Sequence, residues 1–138
     1  MSKQATAIWH GSGKEGHGHL ATQSGVLKDV RYTYKDRFED GPGTNPEELV
    51  AAAHAGCFSM KLSFVLGEAG VTPEEIQTTC DITLESVAIT RSHLTVKVKA
   101  PGIDKAKFDE CAEKAKTTCP ISKSLNPNME ISMDASLV

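Results

Sequence analysis

The stretch Gly43-Thr44-Asn45-Pro46-Glu47-Glu48-Leu49-Val50-Ala51-Ala52-Ala53-His54-Ala55-Gly56-Cys57-Phe58-Ser59-Met60 decides the fold, because it starts a long helix and sets a thiol on it. Asn45 is a favoured N-cap, and Pro46 at the first helical position gives up only an N–H that has no partner there. Glu48, three residues after Asn45, matches a capping box. Leu49, Ala53, Gly56, Cys57, Met60 and Phe64 then recur at intervals of three and four, the spacing of an apolar stripe on a packed helix. The spacing predicts a helix over 46–67, ending near Gly67 or Gly70 ahead of Pro73, with Cys57 in its packed stripe. Small residues around the thiol let another backbone or side chain come close to the sulfur.

A thiol in that setting matters chemically only if it has a partner. Cys119 is the best candidate, since Thr117-Thr118-Cys119-Pro120 reads as the end of one helix and the start of the next. With Pro120 first in its helix, Cys119 takes the N-cap position, where the helix dipole and free N–H groups favour a thiolate. Read from the residues alone, Cys119 is at least as good a nucleophile as Cys57.

Outward from these two positions, short segments broken by glycine at 4–9, 18–22 and 31–38 suit antiparallel strands. Segments 76–87 and 89–100 alternate, through Ile82, Leu84 and Val87 and through Leu94, Val96 and Val98, and predict a hairpin whose exposed face carries Lys97 and Lys99. Asp104 caps a helix over 105–117, a shorter helix follows over 119–125, and 129–133 makes a last strand. Strands and helices do not alternate one for one, so the class is α+β in a single domain, residues 1–138.

The chain has 138 residues and a net charge of −3, which offers no broad basic footprint for nucleic acid. Its opening has no apolar core of signal-peptide length, and no later segment reads as a membrane span, so a cytoplasmic protein is expected. Four cysteines, at 57, 80, 111 and 119, are in a reducing compartment more often catalytic, redox-active or buried than structurally bridged.

A thiol on an apolar face has a raised pKa and is inert unless a cation stabilises its thiolate. Arg37 is the candidate cation and Glu47 the carboxylate available to hold it. Glu47 and Cys57 are ten residues apart on one helix, about 15 Å at the helical rise. If they act together, Glu47 and Arg37 come from a second subunit of a two-fold dimer. Each residue also has a plainer reading: Cys57 as a small core residue, Cys119 as a structural cap, Arg37 as a surface charge paired with Asp36 or Glu39, and both glutamates as first-turn acids.

The chain resembles the OsmC branch of the OsmC/Ohr family of organic hydroperoxide peroxidases. The resemblance rests on Arg-Phe-Glu at 37–39, Gly-Thr-Asn-Pro-Glu-Glu-Leu at 43–49, Ala-Ala-His-Ala-Gly-Cys-Phe-Ser-Met at 52–60, Leu-Gly-Glu-Ala-Gly at 66–70, Pro-Gly-Ile-Asp at 101–104 and Cys-Pro-Ile-Ser at 119–122. His54, where the Ohr branch usually has an aromatic residue, favours the OsmC branch. Membership implies an OsmC-like fold with antiparallel sheets around the central helix, in an intertwined homodimer. It implies Cys57 as the peroxidatic cysteine, Cys119 as the resolving cysteine, and Arg37 and Glu47 as the activating pair. The implied reaction reduces an organic hydroperoxide through a sulfenic acid at Cys57 and a Cys57–Cys119 disulfide. An external dithiol, lipoyl-type in some members, would then reduce that disulfide. No metal or organic cofactor is called for, and neither nucleic acid nor membrane is an expected partner. An apolar cavity with neighbours such as Phe58 and Leu62 would favour alkyl over hydrogen peroxide.

Cys80 and Cys111 match no family motif and read as a strand residue and a helix-face thiol, both non-catalytic. His54 is one turn before Cys57, where a general base is conceivable and a packed or exposed histidine is the plainer reading. His17 and His19 have strand spacing that could hold a metal, yet no third ligand is evident nearby, and no Cys-x-x-Cys knuckle or phosphate loop is present. Besides the peroxidase, a redox sensor or binding protein using the same cysteine pair stays open, as does a structural metal-binding protein.

Overall fold

Asn45 does cap the long helix: its Oδ1 accepts from the Glu48 N–H at 2.7 Å. The second half of the capping box takes another form, since Glu48 Oε2 accepts from the Thr44 hydroxyl at 2.8 Å. In the computed structural model, which describes residues 1–138, the chain divides into two compact units, Met1–Leu49 and Val50–Val138. Each has its own three-stranded sheet, so the architecture is α+β as the sequence predicts.

In the first unit, β1 (Ala5–His10), β2 (His17–Thr22) and β3 (Val30–Tyr32) form an antiparallel meander. The predicted strand over 31–38 is only half right. After Tyr32 the chain turns into α1 (Tyr34–Phe38), so Arg37 sits on a helical turn and not at a strand end. The reason is a local cap. Thr33 Oγ1 accepts from the Asp36 N–H at 3.3 Å, and its hydroxyl donates back to Asp36 Oδ2 at 2.8 Å. Asp36 Oδ1 takes the Gly43 N–H at 2.8 Å, and Asn45 Nδ2 donates to the Asp36 carbonyl at 2.9 Å. The carboxylate packs so closely on Gly41 and Gly43 that a Cβ at either position would collide with it.

The helix α2 (Pro46–Glu68) runs 23 residues, matching the predicted span within a residue at its end. Which face it buries does not match. His54, Phe58, Leu62, Val65 and Leu66 are buried, whereas Ala53, Gly56, Met60 and Phe64 of the predicted stripe are exposed, Met60 at 67% and Phe64 at 66%. The two faces are displaced by one residue, about 100° around the helix. Both are apolar, so periodicity finds a stripe without telling which one meets the core. Cys57 lies at the seam, half-buried. By length and composition alone this helix is also long and apolar enough to cross a membrane, which corrects the expectation that no segment is. Its small residues raise the hydropathy, and its buried side is core.

In the second unit, β4 (Glu75–Glu85) and β5 (Ala88–Lys99) form the predicted hairpin, with Leu94, Val96 and Val98 buried and Lys97 and Lys99 exposed. Val87 is instead in the turn and exposed. The last strand is longer than predicted, and β6 (Glu130–Leu137) pairs with β5 in parallel, so the second sheet is mixed and not antiparallel as expected. A parallel neighbour needs a crossover, and α3 (Lys105–Thr118) with α4 (Pro120–Leu125) supplies it. Asp104 caps α3 by accepting from the Lys107 N–H at 2.8 Å. Phe58, Leu62, Leu66, Leu94, Val96, Val98, Phe108, Ala115 and Cys119 form one core cluster. Each of its large apolar side chains contributes about 1.5–3 kcal/mol relative to exposure.

The Gly43 N–H, aided by the Thr33 hydroxyl and outweighing the opposing effect of burial, holds the Asp36 carboxyl below its ordinary value of 3.8. A depressed carboxyl stabilises the fold above its unfolded pKa and loses that contribution as pH falls through the folded value. Asp36→Asn is therefore expected to lower the melting temperature at neutral pH, with the gap to wild type closing only below about pH 3.8. Thermal denaturation of both proteins across the acid range checks this.

Candidate active site

Two cysteines far apart in sequence meet inside the second unit. Cys119 is fully buried where α3 ends and α4 begins, its N–H closing α3 on the Ala115 carbonyl at 3.0 Å. Pro120 then starts α4, and Cys119 is its N-cap as the sequence predicts, though its side chain makes no capping hydrogen bond. The thiol is directed elsewhere. Cys119 Sγ donates to Cys57 Sγ at 3.0 Å, and both cysteines are free.

Burial pushes the Cys57 thiol above its ordinary value, and the neighbouring Cys119 thiol adds to the rise. The Ile121 backbone N–H and the Lys61 ammonium pull the other way without reversing it. Within a single chain Cys57 is thus poised to stay a thiol. The electrostatic demand for a further cation, read from the sequence, stands.

Arg37 and Glu47 meet in the first unit. Arg37 Nε and Nη2 donate to the same oxygen, Glu47 Oε1, at 3.0 and 2.8 Å. The arginine side chain is 44% exposed and the glutamate side chain 11%. Glu47 Oε2 is buried with no hydrogen-bond partner. Such an orphan costs free energy unless something pairs it.

Beneath Cys57 lies a polar cluster in which His54 is packed and not exposed, with Ser92 and Ser122 as partners that sequence reasoning missed. His54, fully buried, has Nδ1 2.6 Å from Ser92 Oγ and Nε2 2.7 Å from Ser122 Oγ. Cys80 Sγ contacts the same Ser92 Oγ at 3.2 Å. The signal for Ser92 was available: it has the parity of Leu94, Val96 and Val98, so a polar residue stood in the inward register of β5. Burial pushes the His54 pKa down, favouring the neutral ring, and burial likewise pushes the Cys80 thiol up. Cys111 packs in the core on α3.

Other expectations fare differently. Phe58 and Leu62 are fully buried in the core and line no open cavity, because they belong to the buried face of α2. The apolar groove on that helix is lined instead by Met60, Ser63, Phe64, Gly67 and Glu68. His17 and His19 stand with ring centroids 6.0 Å apart on β2, and no three His, Cys, Asp or Glu side chains are arranged to hold a metal ion.

This fold, with a thiol pair joining a long helix to a helix–helix junction, defines a class. Residues 39–134 match the family described as OsmC-like protein, and the chain belongs to that family. It is 49% identical to the Peroxiredoxin OsmC of Escherichia coli (strain K12), over 99% of this chain and 97% of that one. It is 29% identical to the Organic hydroperoxide resistance protein OhrB of Bacillus subtilis (strain 168), over 85% of this chain and 88% of that protein. The solved structure of an organic hydroperoxide resistance protein from Elizabethkingia anophelis superposes with a TM-score of 0.76, covering 100% of this chain and 97% of that chain. At 24% identity that likeness shows the shared fold.

Removing one side of the Arg37–Glu47 pair strands a buried carboxylate. Arg37→Ala is expected to destabilise the protein by roughly 1–3 kcal/mol, toward the lower end because the arginine is half-exposed. Adding Glu47→Leu should recover most of that loss. Denaturant unfolding of the single and double variants measures both.

Proposed function

We propose that this chain is a thiol peroxidase that reduces organic hydroperoxides to alcohols, with Cys57 as the peroxidatic cysteine and Cys119 as the resolving cysteine. The observation that carries the reading is the 3.0 Å contact between the two sulfurs. It leaves only about 1 Å of closure to a disulfide bond. The names of the relatives, a peroxiredoxin and hydroperoxide resistance proteins, support the substrate class.

In the first step the Cys57 thiolate attacks the terminal oxygen of ROOH. The O–O bond breaks, the alkoxide leaves and takes a proton to become ROH, and Cys57 is left as a sulfenic acid. Cys119 then attacks the Cys57 sulfur; the S–S bond forms and the hydroxyl departs as water with the Cys119 proton. An external dithiol, lipoyl-type by family resemblance, reduces the disulfide and closes the cycle. The reaction calls on no metal or organic cofactor. We assign it to the cytoplasm, where a thiol pool keeps such cysteines reduced.

The working unit in this reading is an intertwined homodimer that presents Arg37, oriented by Glu47, to Cys57 of the other copy. Three observations support it. The Cys57 thiol has a raised pKa in the single chain and needs a cation. The α2 face bearing Met60 and Phe64 is apolar and uncovered. Glu47 Oε2 is buried and unpaired. Met60 is three residues beyond Cys57 and Phe64 seven, one side of the helix, so the same face would bring apolar surface to an alkyl substituent. One observation favours the second reading, a redox sensor: the raised Cys57 pKa slows the first step if no second subunit corrects it.

Cys57→Ser is expected to abolish turnover. Cys119→Ser should consume roughly one equivalent of peroxide and then stall until a small thiol in excess restores cycling. A Cys57→Ser variant that kept turnover, with Cys119→Ser blocked at the first oxidation, would reverse the two roles. Losing a cation beside a thiolate raises the thiol pKa, so Arg37→Ala should move the alkaline rise of the oxidation rate to higher pH, costing about tenfold in rate per unit moved at pH values below both. Arg37→Lys should move it less. A pH–rate profile unchanged in Arg37→Ala would remove Arg37 from the site.

A further inference from the structure

Cys119 caps α4 by position but spends its side chain on Cys57, so this six-residue helix begins without a side-chain cap. Something else must hold its first turn. That turn touches α2 at two levels, one helical turn apart. At the upper level Cys119 Sγ and the Ile121 N–H both face Cys57 Sγ. At the lower level Ser122 Oγ, in a residue only 2% exposed, meets His54 Nε2 at 2.7 Å. The opposite ring nitrogen is tied to β5 through Ser92 at 2.6 Å, and Ser92 is in turn in contact with Cys80 of β4.

The ring is therefore fixed from both ends. A neutral imidazole offers one donor and one acceptor, and serine hydroxyls can supply the complement to each, so no polar atom of the ring is left unpaired. Such a cluster is worth little as a stability device, because an apolar group of the same shape can do as well. What it does that an apolar contact cannot is set position, by joining α4 to the sheet through a ring that cannot turn. The geometry is that of a latch.

We infer that His54 is a positioning residue for disulfide formation: through Ser122 it holds the Cys119-bearing turn against Cys57. The inference rests on the thiol peroxidase reading and adds to it the device that sets the fate of the sulfenic acid. That species has two exits. Cys119 attacks its sulfur, forming the S–S bond and releasing water, or a second ROOH oxidises it to sulfinic acid and leaves as ROH. The first exit is intramolecular, and its rate follows how closely the second thiol is held. A loosened α4 shifts the partition to the second.

The two ring nitrogens can be mimicked separately. The amide of glutamine reaches the place of Nε2, toward Ser122, and that of asparagine the place of Nδ1, toward Ser92. Purified His54→Gln, His54→Asn and Ser122→Ala proteins, reduced and then treated with a fixed excess of tert-butyl hydroperoxide, are compared with wild type by intact mass for the sulfinic fraction. Stopped flow then separates the first oxidation from the resolving step. His54→Asn and Ser122→Ala are expected to raise the ratio of sulfinic acid to disulfide about tenfold, through a slower resolving step, while His54→Gln stays close to wild type. Because Ser122→Ala deletes a single oxygen, it keeps the test alive should a histidine variant fold poorly. Equal effects of Gln and Asn, a wild-type ratio in Ser122→Ala, or a loss confined to the first oxidation would overturn the latch. If wild type itself forms no Cys57–Cys119 bond, the peroxidase reading fails first, whatever the variants do.

Discussion

A helix 23 residues long is a stiff rod, and most of the chemistry of this chain is arranged along α2. The Asn45 cap fixes where the rod begins and so which residue falls at which level. Glu47 lies in its first turn, His54 and Cys57 stand a turn apart further on, and Phe58, Leu62 and Leu66 tie it to the core. The residues that act on Cys57 must be brought to it by other elements, as Cys119 and Ile121 are by the turn that starts α4.

The electrostatics follow from the same arrangement. Burial at the seam between the packed and uncovered faces of α2 raises the Cys57 pKa, and the contributions of Lys61 and Ile121 are too weak to offset it. Arg37 is meanwhile held by one oxygen of a nearly buried glutamate whose other oxygen has no partner. A thiol lacking its cation, an ion pair lacking one hydrogen bond and an apolar face lacking a cover are three deficits of one kind. In the proposed homodimer a second copy of the chain would supply the cation and the apolar cover.

Much of this was legible in the sequence where local physics decides. The Asn45-Pro46 start, the Asp104 cap, the alternation of the β4–β5 hairpin and the Cys119-Pro120 junction are each written within a few residues. The sequence misled where two local signals compete or where tertiary contacts choose. The short segment 31–38 suits a strand by its glycine-broken setting, yet the reciprocal Thr33–Asp36 bonds turn its second half into α1. Two apolar stripes share α2, and only packing against β5 and α3 selects the one with Phe58 and Leu62. The partners of His54 are 38 and 68 residues away, beyond the reach of any spacing argument. Which of Cys57 on α2 and Cys119 at the α3–α4 junction acts first is not written in the spacing, and only the family resemblance implies an order.

Cys57 and Cys119 are proposed to form one redox couple driven by organic peroxides. The most direct measurement is stopped-flow oxidation of the reduced wild-type protein by an alkyl hydroperoxide and by hydrogen peroxide, with peptide mapping of the product. Fast oxidation that favours the alkyl peroxide and ends in a Cys57–Cys119 disulfide is the expected result. Slow oxidation without preference, or a bond that involves Cys80 or Cys111, would contradict it.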